Sequence, residues 1–393
     1  MKTTETPTSA RRRSPIFWVP TAYFGMGLPF VVLNMVAVLM YKGLGVSDAK
    51  IAFWTSLIML PWTLKPLWSP LLEMYRTKKF FVVLTQMVSG VTFGLIALSL
   101  HLPSFFAITI ALFAIVAFSG ATHDVACDGV YMDELNAQEQ AKYIGWQGAF
   151  YNVAKIIGTG LLVYLAGFLK DEYEGPAEDA VLYSWTVIMI VLGGVMFALG
   201  LYHTRMLPSG KHAHSVTSFS QSMAELWNVI RNFFTKKHIL YYICFIILYR
   251  LAEGFIMKIA PLFLRASRDV GGLGLSLTEI GTLNGIFGSA AFVLGSLLAG
   301  IYVSKFGLKK TLFTLCCIFN LPFVAYTFLA VAQPTNVYLI GTCITMEYFG
   351  YGFGFVGLTL FMMQQIAPGK HQMSHYAFAS GIMNLGVMLP GMV

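Results

Sequence analysis

The sequence predicts an all-α polytopic membrane protein, on three observations. The chain has 393 residues, of which 57% are hydrophobic and only 11% charged; soluble domains carry about a quarter charged residues. Apolar runs of about 20 residues, the length that crosses a bilayer as a helix, recur along it. The basic residues fall in alternate loops. Backbone polar groups inside a bilayer must be satisfied locally, so such runs read as helices. An outer-membrane barrel would instead alternate in segments of about 10 residues.

The net charge of +8 is explained by topology rather than by nucleic acid. Arg11–Arg13, Arg76, Lys78, Lys79, Lys142, the Lys211–Lys237 region, Lys305, Lys309, Lys310 and Lys370 would share one side. The opposite loops hold few bases (Lys42, Lys50, Lys170, Arg265, Arg268) and the acidic stretch Asp171–Asp179. This positive-inside pattern puts the N-terminus and the long central loop in the cytoplasm. The five cysteines, Cys127, Cys244, Cys316, Cys317 and Cys343, lie in or at the ends of apolar spans and read as packing residues. The basic N-terminus has no small-residue cleavage site, so the first span reads as retained.

Eleven spans are expected, near 15–40, 50–73, 80–100, 105–131, 143–168, 182–204, 240–264, 277–302, 311–332, 336–366 and 374–393. The last runs to the final residue without a polar exit, and a twelfth span is expected to be missing. The implied organisation is a tail at 1–14, a six-helix bundle at 15–204, a central loop at 205–238 and a truncated second bundle at 239–393. In that loop Phe219, Met223, Leu226, Ile230 and Phe233 recur at helical spacing, predicting an amphipathic surface helix.

The two halves repeat. Gly43-Leu-Gly-Val-Ser47 with Ile51 recurs as Gly272-Leu-Gly-Leu-Ser276 with Ile280. At the other end of the same spans, Glu73, Arg76, Lys78 and Lys79 answer Gly300, Ser304, Lys305, Gly307, Lys309 and Lys310. The second copy resembles the cytoplasmic gating-loop motif of the major facilitator superfamily, with Ser304 where that motif has Asp. The first keeps the acid as Glu73 but lacks the glycines. The resemblance implies two pseudo-symmetric six-helix bundles with a substrate site between them at mid-membrane.

Charge inside a span is costly and marks a bundle interior or a wet cavity. Tyr242–Leu264 carries Arg250, Glu253 and Lys258. Arg250 and Glu253 are three apart and can pair on a helix, as a structural lock or as transport machinery. The fourth span holds His123, Asp124, Asp128 and Asp133. His123 and Asp128 also spell H-x4-D, but five residues along a helix point them apart, so an acyltransferase site is not expected. Asp128 and Asp133, towards the cytoplasmic end, have a structural reading as partners of loop bases; the deeper Asp124 is a candidate proton carrier. Gln147, Tyr151, Lys155 and Thr159 form a polar stripe on the fifth span beside Asn152, with Asp124 or Glu253 as partners for Lys155. Glu347 is a lone carboxylate in the tenth span, either a protonated core residue or a second proton site.

Leu248-Tyr-Arg250-Leu-Ala-Glu253 resembles the seventh-helix pattern of AmpG-type permeases. Lys65-Pro-Leu-Trp68-Ser-Pro70-Leu71 is similar to that family's second-helix ending, and Asp124, Asp128, Asp133 and Leu135 to its fourth. Glu347 with Gly350 falls at its tenth-helix acid. Lys155, Asn152 and His123 depart from the pattern and bear on substrate rather than fold. The resemblance implies a proton-coupled importer of anhydro-muropeptides in the bacterial inner membrane, with no cofactor beyond the proton gradient and no enzymatic activity. Expected partners are a small-molecule substrate, protons and the bilayer, without nucleic acid, in a monomer. Proton coupling falls to Asp124, Glu253, Glu347 and Asp128. Substrate binding falls to Arg250, Lys155, Lys258, Gln147, Tyr151, Asn152 and His123. A transporter of another anionic or peptidic solute, such as acyl-CoA, is the alternative within transport; a non-transporting membrane sensor is the alternative outside it.

Overall fold

The computed structural model describes residues 13–176, 179–210, 219–275 and 277–388, and every regular element among them is helical. The helices are α1 (Pro15–Gly43), α2 (48–75), α3 (Lys78–Ser99), α4 (Phe105–Glu134), α5 (Ala137–Asp171) and α6 (Ala180–Met206). After the central connection come α7 (Phe219–Phe234), α8 (Ile239–Arg265), α9 (277–306), α10 (Leu308–Ala332), α11 (Val337–Phe361) and α12 (Gln372–Met388). Eight are long and apolar enough to cross a bilayer by length and composition alone. Two of the exceptions among the expected spans have local causes: α2 is broken, and glycines, tyrosines and Glu347 dilute α11; of the last span only Gln372–Met388 lies among the described residues. Arg11, Arg12 and Lys211 lie outside the described residues, as do the side chains of Phe219, Met223, Lys258 and Arg265.

Sequence punctuation explains the breaks. In α2, Pro61, Pro66 and Pro70 each remove a backbone donor, and the helix splits into Asp48–Leu57, Leu60–Leu64, a 3₁₀ turn at Lys65–Leu67, and Ser69–Tyr75. Wider π-helical turns interrupt α1 at Val32–Val36, α5 at Ile157–Leu162 and α9 at Gly281–Gly288, and extend α11 at Met362–Ile366. The repeated loop motif has a backbone cause. Gly45 and Gly274, its third residues, both take left-handed φ, of 78° and 64°, a conformation that costs other residues about 1–2 kcal/mol. Gly307 turns at φ 81° in the second basic loop, whereas Arg76, its counterpart, is extended at φ −154°. The first copy therefore makes its turn without glycine.

Glycine-mediated packing builds each half. A Cβ at Gly90 on α3 would stand 2.8 Å from the backbone of Phe197 on α6. One at Gly352 on α11 would stand 2.1 Å from the carbonyl of Phe292 on α9. The halves meet most closely at the end that carries the basic loops. There a Cβ on Gly145 of α5 would lie 2.6 Å from Leu297 Cα, and one on Gly300 would lie 2.8 Å from the Ala141 carbonyl. Nearer the opposite end of the same helices, Gly160, Gly281 and Gly285 meet nothing within 4 Å. The bundles are in backbone contact at the basic face, whereas these three glycines face open space at the other.

Candidate functional site

Inside their helical bundles, the two halves offer different buried ion pairs. On α8, the three-residue spacing brings Arg250 and Glu253 onto one face. Arg250 donates from Nε to Oε2 and from Nη2 to Oε1, both at 2.6 Å. Both side chains are buried, and the guanidinium lies 5.2 Å over the Phe355 ring. A buried two-pronged pair of this kind is geometrically specific. Tyr351 and Glu347 of α11 lie within electrostatic range of Glu253. Glu347 is buried and is thus part of the same cluster rather than alone.

On α4, Asp124 Oδ2 accepts from Trp62 Nε1 at 2.8 Å and lies 3.6 Å from Lys65 Nζ. Its other oxygen, Oδ1, is buried without a hydrogen-bond partner. The partner of Asp124 is Lys65, not Lys155, because the proline break in α2 turns Lys65 onto α4. Lys155 is exposed and makes none of the described ion pairs; Thr159 bonds back to its carbonyl at 2.9 Å. It stands nine residues, two and a half turns, from the exposed Trp146, which places it on the opposite face of α5. Asn152 likewise bonds within its helix, to Gly148 O at 2.9 Å.

Asp128, one turn below Asp124, accepts from Tyr23 OH at 2.8 Å and Gln147 Nε2 at 3.4 Å. The loop base expected for the lower carboxylates goes to Asp133 instead, from Lys78 at 2.6 Å. His123 turns away from Asp128 into the first bundle. There Thr21, His203, Gln86 and His123 form a buried chain, with contacts of 2.9, 2.8 and 3.0 Å. The H-x4-D pair does not converge. Tyr151 stands near both Asp124 and Tyr351, so α5 and α11 bring the two clusters together across the interface. Tyr376 of α12 lies within range of Asp124 and Asp128. Lys65, Trp62, Tyr351 and Tyr376 are the residues that motif reasoning missed. Only Lys65 carries a signal in the sequence, a charge inside an apolar run. The cysteine reading needs one correction: Cys127 is buried, but Cys244 is exposed on α8.

The basic face is held by a second constellation. Glu73, at the end of α2, accepts from the backbone N–H of Met373 (2.8 Å) and Ser374 (3.4 Å) and from Ser374 Oγ (2.7 Å). A carboxylate from the first half thus caps the first turn of α12 in the second. Its counterpart Ser304 donates to the Gln138 carbonyl at 3.3 Å, while α5 is capped by its own Asn136–Glu139 box. Glu225 of α7 binds Lys370 at 2.7 Å, and that hydrogen bond holds its carboxyl below the usual range. Lys236 donates to the carbonyls of Ile366 and Pro368. An apolar concavity of about 1100 Å³ between α9, α10 and α11 contains none of the candidate residues.

Residues 21–393 match the family model of the Major Facilitator Superfamily. The chain belongs to this superfamily. It is similar to a Haemophilus influenzae protein, 23% identical over 360 residues that cover 88% of this chain and 79% of the relative. It is also similar to the anhydromuropeptide permease of Escherichia coli, 22% identical over 88% of this chain and 67% of that protein. Among solved structures, the E. coli fucose:proton symporter FucP superposes at a TM-score of 0.67 and 12% identity, over 96% of this chain and 90% of that one. The superfamily's two-bundle fold accounts for the repeat. This is a multi-pass membrane transporter, as its family and structural relatives are.

Proposed function

We propose that the protein is a proton-coupled importer of anhydro-muropeptides in the bacterial inner membrane, with its basic face in the cytoplasm. In that orientation the bundles are closed to the cytoplasm and parted towards the outside, the state in which an importer receives its substrate. The observation that carries the reading is the mid-membrane charge set between the halves, in a chain similar to a permease of that name. It comprises Lys65 with Asp124, Arg250 with Glu253, the carboxylates Asp128 and Glu347, and Lys155, which makes none of the ion pairs among the described residues.

Ionisable groups persist in a membrane where they face polar cargo. Lys155 and Arg250 suit the carboxylates of a peptide stem, with Lys258 on the same helix as Arg250. Tyr151 and Tyr351 offer faces for sugar rings. Gln147 and Asn152 add polar contacts along α5. Protonating Glu253 removes the charge that holds Arg250 and frees the guanidinium for an anion. His123, tied into its buried chain, serves the site by fixing α4 rather than by touching cargo.

The departures at Lys155, Asn152 and His123 favour a second reading, transport of another anionic solute such as an acyl-CoA. Uptake into proteoliposomes, with anhydro-muropeptide, free peptide, sugar and acyl-CoA offered side by side, tests both. Muropeptide accumulation supports the first reading. Accumulation of acyl-CoA alone replaces it with the second, and no uptake of any solute sinks both.

A further inference from the structure

We propose that Lys65 is the residue through which protonation of Asp124 releases the clamp at the basic face. The inference rests on the proton-coupled reading and names the link between proton and gate.

Residues 65–75 form one short piece of chain with an interaction at each end. At its start Lys65 is buried, and its one ion pair among the described residues is with Asp124. At its end Glu73 caps α12 of the other bundle through three hydrogen bonds. Between them the piece is sandwiched. Trp68 Nε1 donates to Thr122 on α4 at 3.2 Å, while Pro66 lies against Gly381 and Leu72 packs with Met373 and Ala377 on α12. Upstream, the turn at 58–59 and Pro61 separate it from the rest of α2, so it can shift without moving the whole helix.

The partners define two positions. With Asp124 ionised, Lys65 is held on α4 and the piece keeps Glu73 in register with the N–H groups of Met373 and Ser374. A proton added to the unpartnered Oδ1 neutralises Asp124. A buried ammonium beside a neutral acid has lost its compensation, and Lys65 is driven towards the water between the bundles. The piece follows, Glu73 loses its register, and the first turn of α12 is left without its acceptor. The other ionisable groups facing the pair are Asp128 and Cys127 on α4, Tyr151 on α5 and Tyr376 on α12, and at the clamp His371 lies 3.8 Å from Glu73 and 3.5 Å from Glu225. Asp128 also feels the Lys65 charge, but it is bound by Tyr23 and Gln147 and lies outside ion-pair distance, so it does not take over from Asp124 as the partner of Lys65.

The test uses spin labels at the exposed positions 138 and 309, which span the basic face away from Glu73, in a cysteine-replaced full chain in nanodiscs without substrate. The unsubstituted chain is expected to give a short distance at alkaline pH and a longer one at mildly acidic pH. Asp124→Asn should give the longer distance at both pH values. Lys65→Gln combined with Asp124→Asn should return to the short distance and lose the pH response, while Lys65→Arg should keep both. A double variant as open as Asp124→Asn, or an Asp124→Asn chain that stays closed, overturns the inference. Because no solute is present, failure of muropeptide uptake with the labels moving as described would remove the substrate reading and leave this one standing.

Discussion

The guanidinium of Arg250 spends two of its donors on Glu253, one turn along the same helix and buried with it. Removing one partner of such a pair leaves an uncompensated charge, at a cost of about 3–5 kcal/mol. Glu253→Gln is therefore expected to lower the midpoint of thermal unfolding in detergent and to reduce accumulation driven by a pH gradient. Full accumulation by that variant would remove Glu253 from the coupling mechanism. The pair was legible in the sequence because its partners are local, three residues apart on a helix. The Asp124 pair was not. Lys65 lies 59 residues from Asp124, and only the proline-broken path of α2 brings the two together. Asp133 was legible as a partner for loop bases, since Lys78 follows from the shared end of two spans. Asp128 was not, because Tyr23 and Gln147 reach it from separate helices.

Elements differ in what their close contacts do. Gly352 meets a carbonyl inside the second bundle, whereas Gly145 meets a neighbouring backbone across the interface. Overpacking costs about 1–3 kcal/mol, so Gly352→Ala should lower thermal stability. Gly145→Leu should leave the bundles intact and instead open the basic face, read as faster thiol labelling of a cysteine placed at Ala141, which is buried where that face is closed. Equal effects of both changes on stability would contradict the assignment of Gly145 to the gate.

Apolar spacing predicts the surface helix α7, and Val229 and Phe233 are buried among its described side chains. Its docking through Glu225 and Lys370 depends on tertiary placement that spacing does not encode. The Lys370 hydrogen bond lowers the Glu225 carboxyl from its ordinary value of 4.5. The stabilisation is thus present above that value and lost as pH falls through the lowered one. Amide protection of Phe219–Phe234, corrected for intrinsic exchange, should hold from neutral pH down to about 4.5 and fall only below it. Loss of protection nearer neutrality would assign the docking to another group.

Across the whole molecule the repeat was the readable feature. Gly45 and Gly274 mark equivalent turns, and the two basic loops mark one face. The closed state of that face was not readable, because it is set by close backbone approach between α5 and α9 and by Glu73 capping a helix 300 residues away. The central claim is that a proton gradient drives anhydro-muropeptide through this chain. Its most direct measurement is uptake of labelled anhydro-muropeptide into proteoliposomes with and without an imposed gradient, acidic on the outer side. Accumulation above equilibrium only with the gradient, abolished by a protonophore and by Asp124→Asn, is the predicted result. Equilibration at the same rate and extent in both conditions would contradict it.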